Sequence, residues 1–438
     1  MRQTRAPIAS RMAWLVFATA AAAYFTAVLH RTALGVAGVE ALDRFGIEAT
    51  ALSLLAVIQI TMYAAMQVPA GTLLDRFGPA AVMVAGSLVM AVGQGMMAFA
   101  PDYGWALAAR LLIGAGDAPI FIAATRLVAH HFPPRRVPVM VQITGLVGQA
   151  GQLATALPLA FVLHTAGWEP AFGSLAVVGA VVASVVWWVL VRPKNPSFSP
   201  ERSASMSVRA ALTTSMRTPG VRLGFWSHFL GPFSANTVAL LWGFPYFTTA
   251  QGRSSAEASL LLTSMVIASV TVAPVIGTLT GRHPLRRSWL VLGGAVVVAL
   301  TWVVILLPTT PRPLWQLVAF ALVVGAGGPM SLIGMDFART HAVRERLGSA
   351  TGFVNMGGFI STIISVLLVG VVLQAVSPAG ASEYTLGEYR VAFAALTVPW
   401  IIGVVGVFTS RRDARAVLAA EGVLVPSVRE VWRRYRAR

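Results

Sequence analysis

Arg110-Leu-Leu-Ile-Gly-Ala-Gly-Asp-Ala-Pro-Ile-Phe121 places an arginine and an aspartate inside a run that is otherwise apolar enough for hydrocarbon. An ionisable group at the centre of a membrane helix costs roughly 2.5–3.5 kcal/mol on insertion scales, so it persists where it faces a polar cavity or a partner. At about 100° per residue Arg110, Gly114, Asp117 and Phe121 fall on nearly one face, with glycines beside the charges that admit a second backbone or a ligand. That face is expected to line a pathway. The rest of the chain fits this setting: 438 residues, 56% hydrophobic and 11% charged, with a mean hydropathy of +0.73. Such a composition belongs to a polytopic helical membrane protein rather than to a soluble one.

Windows long enough to cross about 30 Å of hydrocarbon number roughly twelve, near 13–38, 51–71, 80–100, 105–130, 138–164, 171–191, 222–249, 256–280, 288–308, 314–338, 348–374 and 389–409. The predicted fold class is an all-α polytopic membrane protein with twelve transmembrane helices in two six-helix bundles. The expected division is a first bundle over 1–191, a cytoplasmic linker over 192–221, a second bundle over 222–409 and a basic cytoplasmic tail over 410–438. The first apolar run follows Arg2, Arg5 and Arg11 as in a signal peptide, but it continues well beyond an ordinary signal core and reads as an uncleaved first helix.

Charge sets the orientation. The net charge of +17 comes in short clusters between apolar segments, not as one patch, which argues against a nucleic-acid partner. With the N-terminus inside, roughly 27 of the 33 Lys and Arg fall on inner segments, and the outer loops hold Arg44, Arg253, Arg312 and Arg390. Both termini are therefore predicted to be cytoplasmic, in the cell membrane. The tail residues Arg429, Arg433, Arg434, Arg436 and Arg438, around Trp432 and Tyr435, either rest on anionic lipid or form an ordinary solvated tail. The chain has no cysteine, which removes disulfides and thiolate chemistry. No nucleophile with its base, metal cluster or phosphate-cradling loop is visible, so neither an enzyme nor a cofactor is expected.

The halves echo each other. Gly71-Thr-Leu-Leu-Asp-Arg76 after the second span matches Gly277-Thr-Leu-Thr-Gly-Arg282 after the eighth; Gly114-Ala-Gly116 matches Gly325-Ala-Gly327; Ser53-Leu-Leu matches Ser259-Leu-Leu. Internal repeats of this kind are a common plan for transporters, with the substrate site between the two bundles. Gly71, Asp75, Arg76 and Gly78 are expected in a short inner loop, where glycine allows a tight turn and the charges can pair with neighbouring helix ends as a latch.

The Gly71 to Gly78 stretch resembles the major facilitator superfamily, whose signature between these helices is a glycine-led Asp-Arg-x-Gly followed by basic residues. Here Pro79 and Ala80 replace those basic residues, and Arg286 and Arg287 appear only in the second copy. Arg110-x-x-x-Gly114-x-Gly116-x-Ala118 is similar to the family's fourth-helix signature, which adds Arg110 to the latch set. The acid before Ala-Pro at Asp117, together with Gly167-Trp168-Glu-Pro-Ala-Phe172 and Trp242-Gly-Phe-Pro245-Tyr246, resembles the anion:cation symporter branch. His30-Arg31-Thr-Ala-Leu-Gly-Val-Ala37 is similar to that branch's Asp-Arg-x-x-Leu-Ser-x-Ala, with His30 in place of the acid.

The resemblance implies a proton-coupled importer of a small organic anion that works by alternating access. By resemblance Arg31 binds the substrate carboxylate, a role that a permanently charged, two-pronged guanidinium suits; the other reading of Arg31 is a structural ion pair. Tyr24, seven residues earlier on the same helical face, could add a hydroxyl. Counted from Ala13, Arg31 falls in the outer half of its helix, so tilt or a later helix start is needed to bring it to Asp117. Asp117 is the main candidate for proton coupling, since burial and a nearby arginine act on a carboxylate in opposite directions. His30 is a second proton site or a neutral hydrogen-bonding histidine, and Asp336 beside Arg339 reads as a helix-end ion pair. Gln149, Asn236 and Asn355 are either ligand groups or interhelical hydrogen-bonding groups, and Trp242 and Tyr246 either wall the cavity or belong to an aromatic belt. The expected partners are an anionic small molecule, protons and membrane lipid, with a monomeric protein. A proton-driven exporter is the alternative, disfavoured because Gly145-Leu-Val-Gly148-Gln-Ala-Gly151 lacks a Gly-Pro pair. A nitrate porter is disfavoured because spans two and eight lack an arginine, and a transporter-like receptor is the remaining class.

Overall fold

The computed structural model describes residues 11–47, 49–192, 207–377, 384–423 and position 433. The first half consists of α1 (Arg11–Val36), α2 (Gly38–Phe45), α3 (Ala49–Ala65), α4 (Gln67–Phe77), α5 (Pro79–Ala98), α6 (Tyr103–His131), α7 (Val137–Ala154), α8 (Ala160–Ala166) and α9 (Trp168–Val186). After a short linker helix α10 (Val208–Arg217) come α11 (Pro219–Leu230), α12 (Phe233–Thr237), α13 (Gly243–Pro245), α14 (Ser255–Arg282) and α15 (Arg287–Leu306). The chain ends in α16 (Leu314–Gly327), α17 (Ile333–His341), α18 (Leu347–Val376), α19 (Leu386–Ala394) and α20 (Thr397–Ala420). Nine of the described helices are long and apolar enough to cross a membrane, and α3 with α4, bent by 46°, makes a tenth. The remaining two runs, 137–166 and 219–250, are helical apart from a turn at Gly231 and Pro232, and are interrupted by wide π turns at Thr155–Leu159, Val238–Trp242 and Tyr246–Ala250. The π turns lie close to Pro158 and Pro245, consistent with a ring that displaces one hydrogen bond of the ladder.

Apolar side chains are turned outward as well as inward. Val177, Val181 and Val185 on α9 and Val297, Leu300 and Val304 on α15 are all exposed. In hydrocarbon this is the stable arrangement, and association of the helices then rests on close packing of small residues. Gly86 of α5 and the Gly116 carbonyl of α6 show it: a methyl group added at Gly86 would lie 2.6 Å from that oxygen.

Several boundaries differ from the sequence reading. The second span continues to Phe77, so Gly71, Asp75 and Arg76 stand on the last turns of α4 and not in a loop. Only Gly78, with φ of 82°, makes the turn, and Pro79 starts α5 in the first helical position where its missing N–H costs nothing. The last span runs on to Ala420, which places Arg411, Arg412 and Arg415 on α20 within the segment expected as tail. Of the linker, 207–217 is ordered as a helix with its cap, and 193–206 lies outside the described residues, as do the tail residues Arg429, Trp432, Arg434, Tyr435, Arg436 and Arg438.

The two halves meet along α4 with α18 and along α7 with α14. At the end that carries α10, here the linker side, the backbones nearly touch. A Cβ at Gly71 would meet Ser349 Cα at 2.7 Å, and one at Gly277 would meet Val139 Cα at 2.7 Å, so the two repeat copies make equivalent seams. Gly71→Ala is therefore expected to hold this side ajar. Because the chain lacks cysteine, a single Leu332→Cys beside the seam reports directly, and its alkylation from the linker side should speed up about tenfold for a seam weakened by about 1.4 kcal/mol; an unchanged rate would refute the seam.

Candidate functional site

Arg31 and Asp117 meet in the middle of the first half. The Arg31 guanidinium donates from Nε to Asp117 Oδ2 at 2.6 Å and from its terminal nitrogen to Oδ1 at 2.9 Å, a bidentate pair. The depth mismatch expected from the sequence disappears because α2 prolongs the first helix past Gly38. Both residues then stand fourteen residues from the same-side helix ends at Phe45 and Tyr103. At 1.5 Å per residue that is about 21 Å of helix on each side. The Arg31 side chain keeps 22% of its surface accessible whereas Asp117 keeps none.

The Arg110 to Phe121 face does not itself line open space. Arg110 is buried, donating from Nε to the Leu55 carbonyl at 3.3 Å and from a terminal nitrogen to the Arg31 carbonyl at 3.5 Å. Gly114 packs against the Gln59 backbone, and Phe121 against Tyr24 with ring centroids 5.0 Å apart. The glycines admitted a neighbouring backbone, so α6 is sealed by α1 and α3, and Arg31 is the group through which the charges can be reached.

Tyr63, which the sequence reading did not single out, joins this pair to the second half. Arg31 lies over its ring, 4.6 Å from the centroid. Asn355 of α18 donates to the Tyr63 hydroxyl at 3.3 Å and to Gln67 Oε1 at 2.8 Å, and Tyr63 also packs on Phe359. Tyr63 and Gln67 lie four apart across the α3–α4 bend, the spacing that brings side chains onto one face. That spacing was the available signal, and it was hidden because each residue alone reads as packing.

The other expected residues are distributed as follows. Tyr24 stays beside the pair, half-buried against Phe121. His30 projects away from it: its ring is fully buried against Gly179 of α9, and its carbonyl accepts from Gln94 at 3.1 Å. Neighbours on a helix diverge by about 100°, so His30 and Arg31 cannot share one cavity. Gln149 reaches across to Ser269 at 3.4 Å. Asn236 donates to Thr362 at 2.9 Å and Trp242 to the Val366 carbonyl at 3.0 Å, both within the second half. Tyr246 is fully buried between Tyr389 and Phe393 and accepts from Gln251 at 2.7 Å, which makes it part of the apolar core and not a cavity wall. Outside that set, His228 of α11 is also buried, bonded to the Ser331 carbonyl at 2.9 Å.

The linker side is closed by a carboxylate. Asp75 accepts from Arg126 at 2.5 Å and from the backbone N–H groups of Gly348 and Ser349 at 2.7 and 2.8 Å. The N–H groups at the start of α18 have no partner within their own helix, and the helix dipole favours an anion there. Gly348 permits the approach, since a Cβ would sit 2.7 Å from that carboxylate. Arg76 is exposed over the Phe77 ring, and Arg110 lies far along α6 from Arg126, so Asp75, Gly71 and Gly78 are the members of the expected latch set that meet here. Arg126 was missed although it stands in an apolar run, the same signal that marked Arg110. In the second half Arg287 and Arg339 both bind Asp336, at 2.5 and 2.6 Å, the helix-end pairing expected for Asp336. Gln142 donates to the Pro329 carbonyl at 2.8 Å and ties α7 to the turn after α16.

The Major Facilitator Superfamily model matches residues 20–252 and again 224–438. The chain belongs to that superfamily. It is thus an integral membrane protein of a transporter family and not an enzyme. It is 22% identical over 380 residues to the probable galactarate/D-glucarate transporter GudP of Escherichia coli, covering 78% of this chain and 83% of that protein. It is 27% identical over 348 residues to the probable nitrate/nitrite transporter NarK2 of Mycobacterium tuberculosis, covering 76% and 82%. A shorter match, 26% over 195 residues, is to the uncharacterized transporter YybO of Bacillus subtilis, and here the chain spans less than half of the relative's length.

Proposed function

We propose that this superfamily member is a secondary transporter that carries a small organic anion together with protons, inward across the cell membrane, by alternating access. The observation that carries the reading is the bidentate Arg31–Asp117 pair, in which the arginine side chain keeps 22% of its surface accessible and the carboxylate none. A substrate carboxylate and Asp117 compete for the same two-pronged donor. When the substrate takes Arg31, Asp117 is left in a dry site, where an unpaired carboxylate takes a proton rather than stay charged. Anion and proton therefore enter together. Likeness to a probable hexarate transporter supports an organic anion as cargo.

The halves 1–191 and 222–409 are the rocking units, joined by the linker 192–221. The Asp75 cap and the glycine seams hold the linker side shut, so substrate enters from the other face; the arginine distribution supports a cytoplasmic linker side, with both termini and the 410–438 tail on it. The transporter acts as a monomer. Asn355 senses cargo at Arg31 from the second half through Tyr63 of α3, with Tyr24, Gln149, Asn236 and Trp242 closer to the path than His30 or Tyr246.

A second reading, transport of a small inorganic anion, draws on the likeness to NarK2. Against it, α3–α4 and α14 carry their arginines, Arg76 and Arg282, on final turns at the linker side and not at mid-span. Uptake into proteoliposomes under an inward proton gradient separates the two. Accumulation of hexarates or hexonates with no response to nitrate is expected; nitrate uptake without sugar acids would reverse the assignment, and binding without uptake would make the protein a receptor.

A further inference from the structure

On the linker side of the second half, α11, α15, α17 and α20 surround a cavity of about 420 Å³ whose polar lining includes Ser288, Thr340, His341, Arg411, Arg415 and Glu421. It lies apart from the Arg31–Asp117 site and from the seam between the halves. Its third arginine, Arg287, is already committed, to Asp336, to Thr340 at 3.2 Å and to the Pro284 carbonyl at 2.6 Å. Arg411 and Arg415 are different. Neither has a carboxylate within ion-pair distance among the described residues, although four residues of separation on α20 puts the two like charges side by side. Arg411 is held in place all the same: its Nε donates to Ser288 at 3.0 Å and its guanidinium lies 4.5 Å from the centroid of Trp289. Stacking and one hydrogen bond fix the plane while leaving the terminal nitrogens to a ligand.

Arg411, held in place, and Arg415 beside it outweigh Glu421, the carboxylate of the lining, so the cavity calls for an anion, and the guanidinium geometry suits phosphate oxygens. The source of the phosphate follows from the rim. Leu285, Trp289 and Val417 are each more than two-fifths exposed there, so apolar surface adjoins the charges at the boundary of the span. The chain beyond Val423 cannot act as counter-ion, since 424–438 holds five arginines against Glu430 alone. We propose that this cavity seats the headgroup phosphate of an anionic phospholipid, with Arg411 and Arg415 on the phosphate and the acyl chains along the apolar rim. The shared chemistry is a phosphate anion, and the lipid is its source.

The test uses the full chain in phosphatidylcholine nanodiscs, titrated with phosphatidylglycerol and, separately, with inorganic phosphate and glycerol phosphate. The double variant Arg411→Gln/Arg415→Gln is compared with Arg135→Gln/Arg136→Gln, which removes the same charge from exposed positions at the same end of the first half. Affinity for phosphatidylglycerol is expected to fall about 30-fold in the first variant, at about tenfold or less per lost arginine, and to persist in the second. Equal loss in both, or none in the first, would overturn the site. If glycerol phosphate alone binds the wild type as tightly as the lipid, the lipid source is overturned. Independently of any variant, a photoactivatable phosphatidylglycerol is expected to label residues 411–421, at the end of α20, in the wild type; labelling spread evenly over the spans would refute the proposal.

Discussion

Replacing Arg31 with alanine is expected to weaken binding of a carboxylate substrate by about 30-fold or more, the cost of about 2–5 kcal/mol seen when one partner of a buried, hydrogen-bonded charge pair is truncated. Two hydrogen bonds and the contact over the Tyr63 ring vanish together. Asp117 is also left buried without its cation, which by itself destabilises the fold. Arg31→Lys separates these effects. A single ammonium preserves the charge opposite Asp117 but cannot grip two oxygens, so the variant should fold like the wild type and still bind more weakly. Isothermal titration with the best organic acid from a thermal-shift screen reads both. Unchanged affinity in Arg31→Ala would return Arg31 to a structural role and remove the proposed carboxylate site.

Asp117→Asn should abolish accumulation driven by a pH gradient while sparing exchange of labelled for unlabelled substrate. An amide has nearly the shape of the carboxylate and still accepts one hydrogen bond from Arg31, so the site keeps its form. What it loses is the proton. The wild type should take up substrate faster as the outside is made more acidic, because the protonated acid releases Arg31; the variant should show a flat profile. Proteoliposomes loaded at one pH and diluted into another give both readings, and intact uphill uptake would place the coupling proton elsewhere. His30 is a poor substitute, since its ring lies on the α9 side of α1, away from the guanidinium.

How much of this was legible depended on the range over which each feature is decided. Spans could be read because crossing hydrocarbon demands about 20 apolar residues with every backbone bond closed within the helix, a condition met locally. Their ends were less legible. Apolar length alone gives no sign that α4 continues through Asp75 or that α20 carries Arg411 past the boundary, since charged residues extend a helix into the interface at little cost. Asp75 was recognised as a latch residue, but its chief partners are two backbone N–H groups almost three hundred residues away, and those have no signature in sequence.

The same divide runs through the central site. Composition, the internal repeats and the charges in apolar runs determined by themselves an all-helical membrane protein with Arg31 and Asp117 as the residues that need explaining, and the superfamily was implied by the resemblance of the Gly71–Gly78 and Arg110–Ala118 motifs. Only the packed structure decided that these two meet, that Arg110 serves backbone carbonyls, that His30 and Tyr246 turn into the core, and that Tyr63 and Asn355 link the halves. Helix formation is settled by neighbours three or four residues apart. Which charges touch depends on the depth and rotation of whole helices, and these are fixed by contacts such as the prolongation of α1 by α2 that no short window of sequence contains.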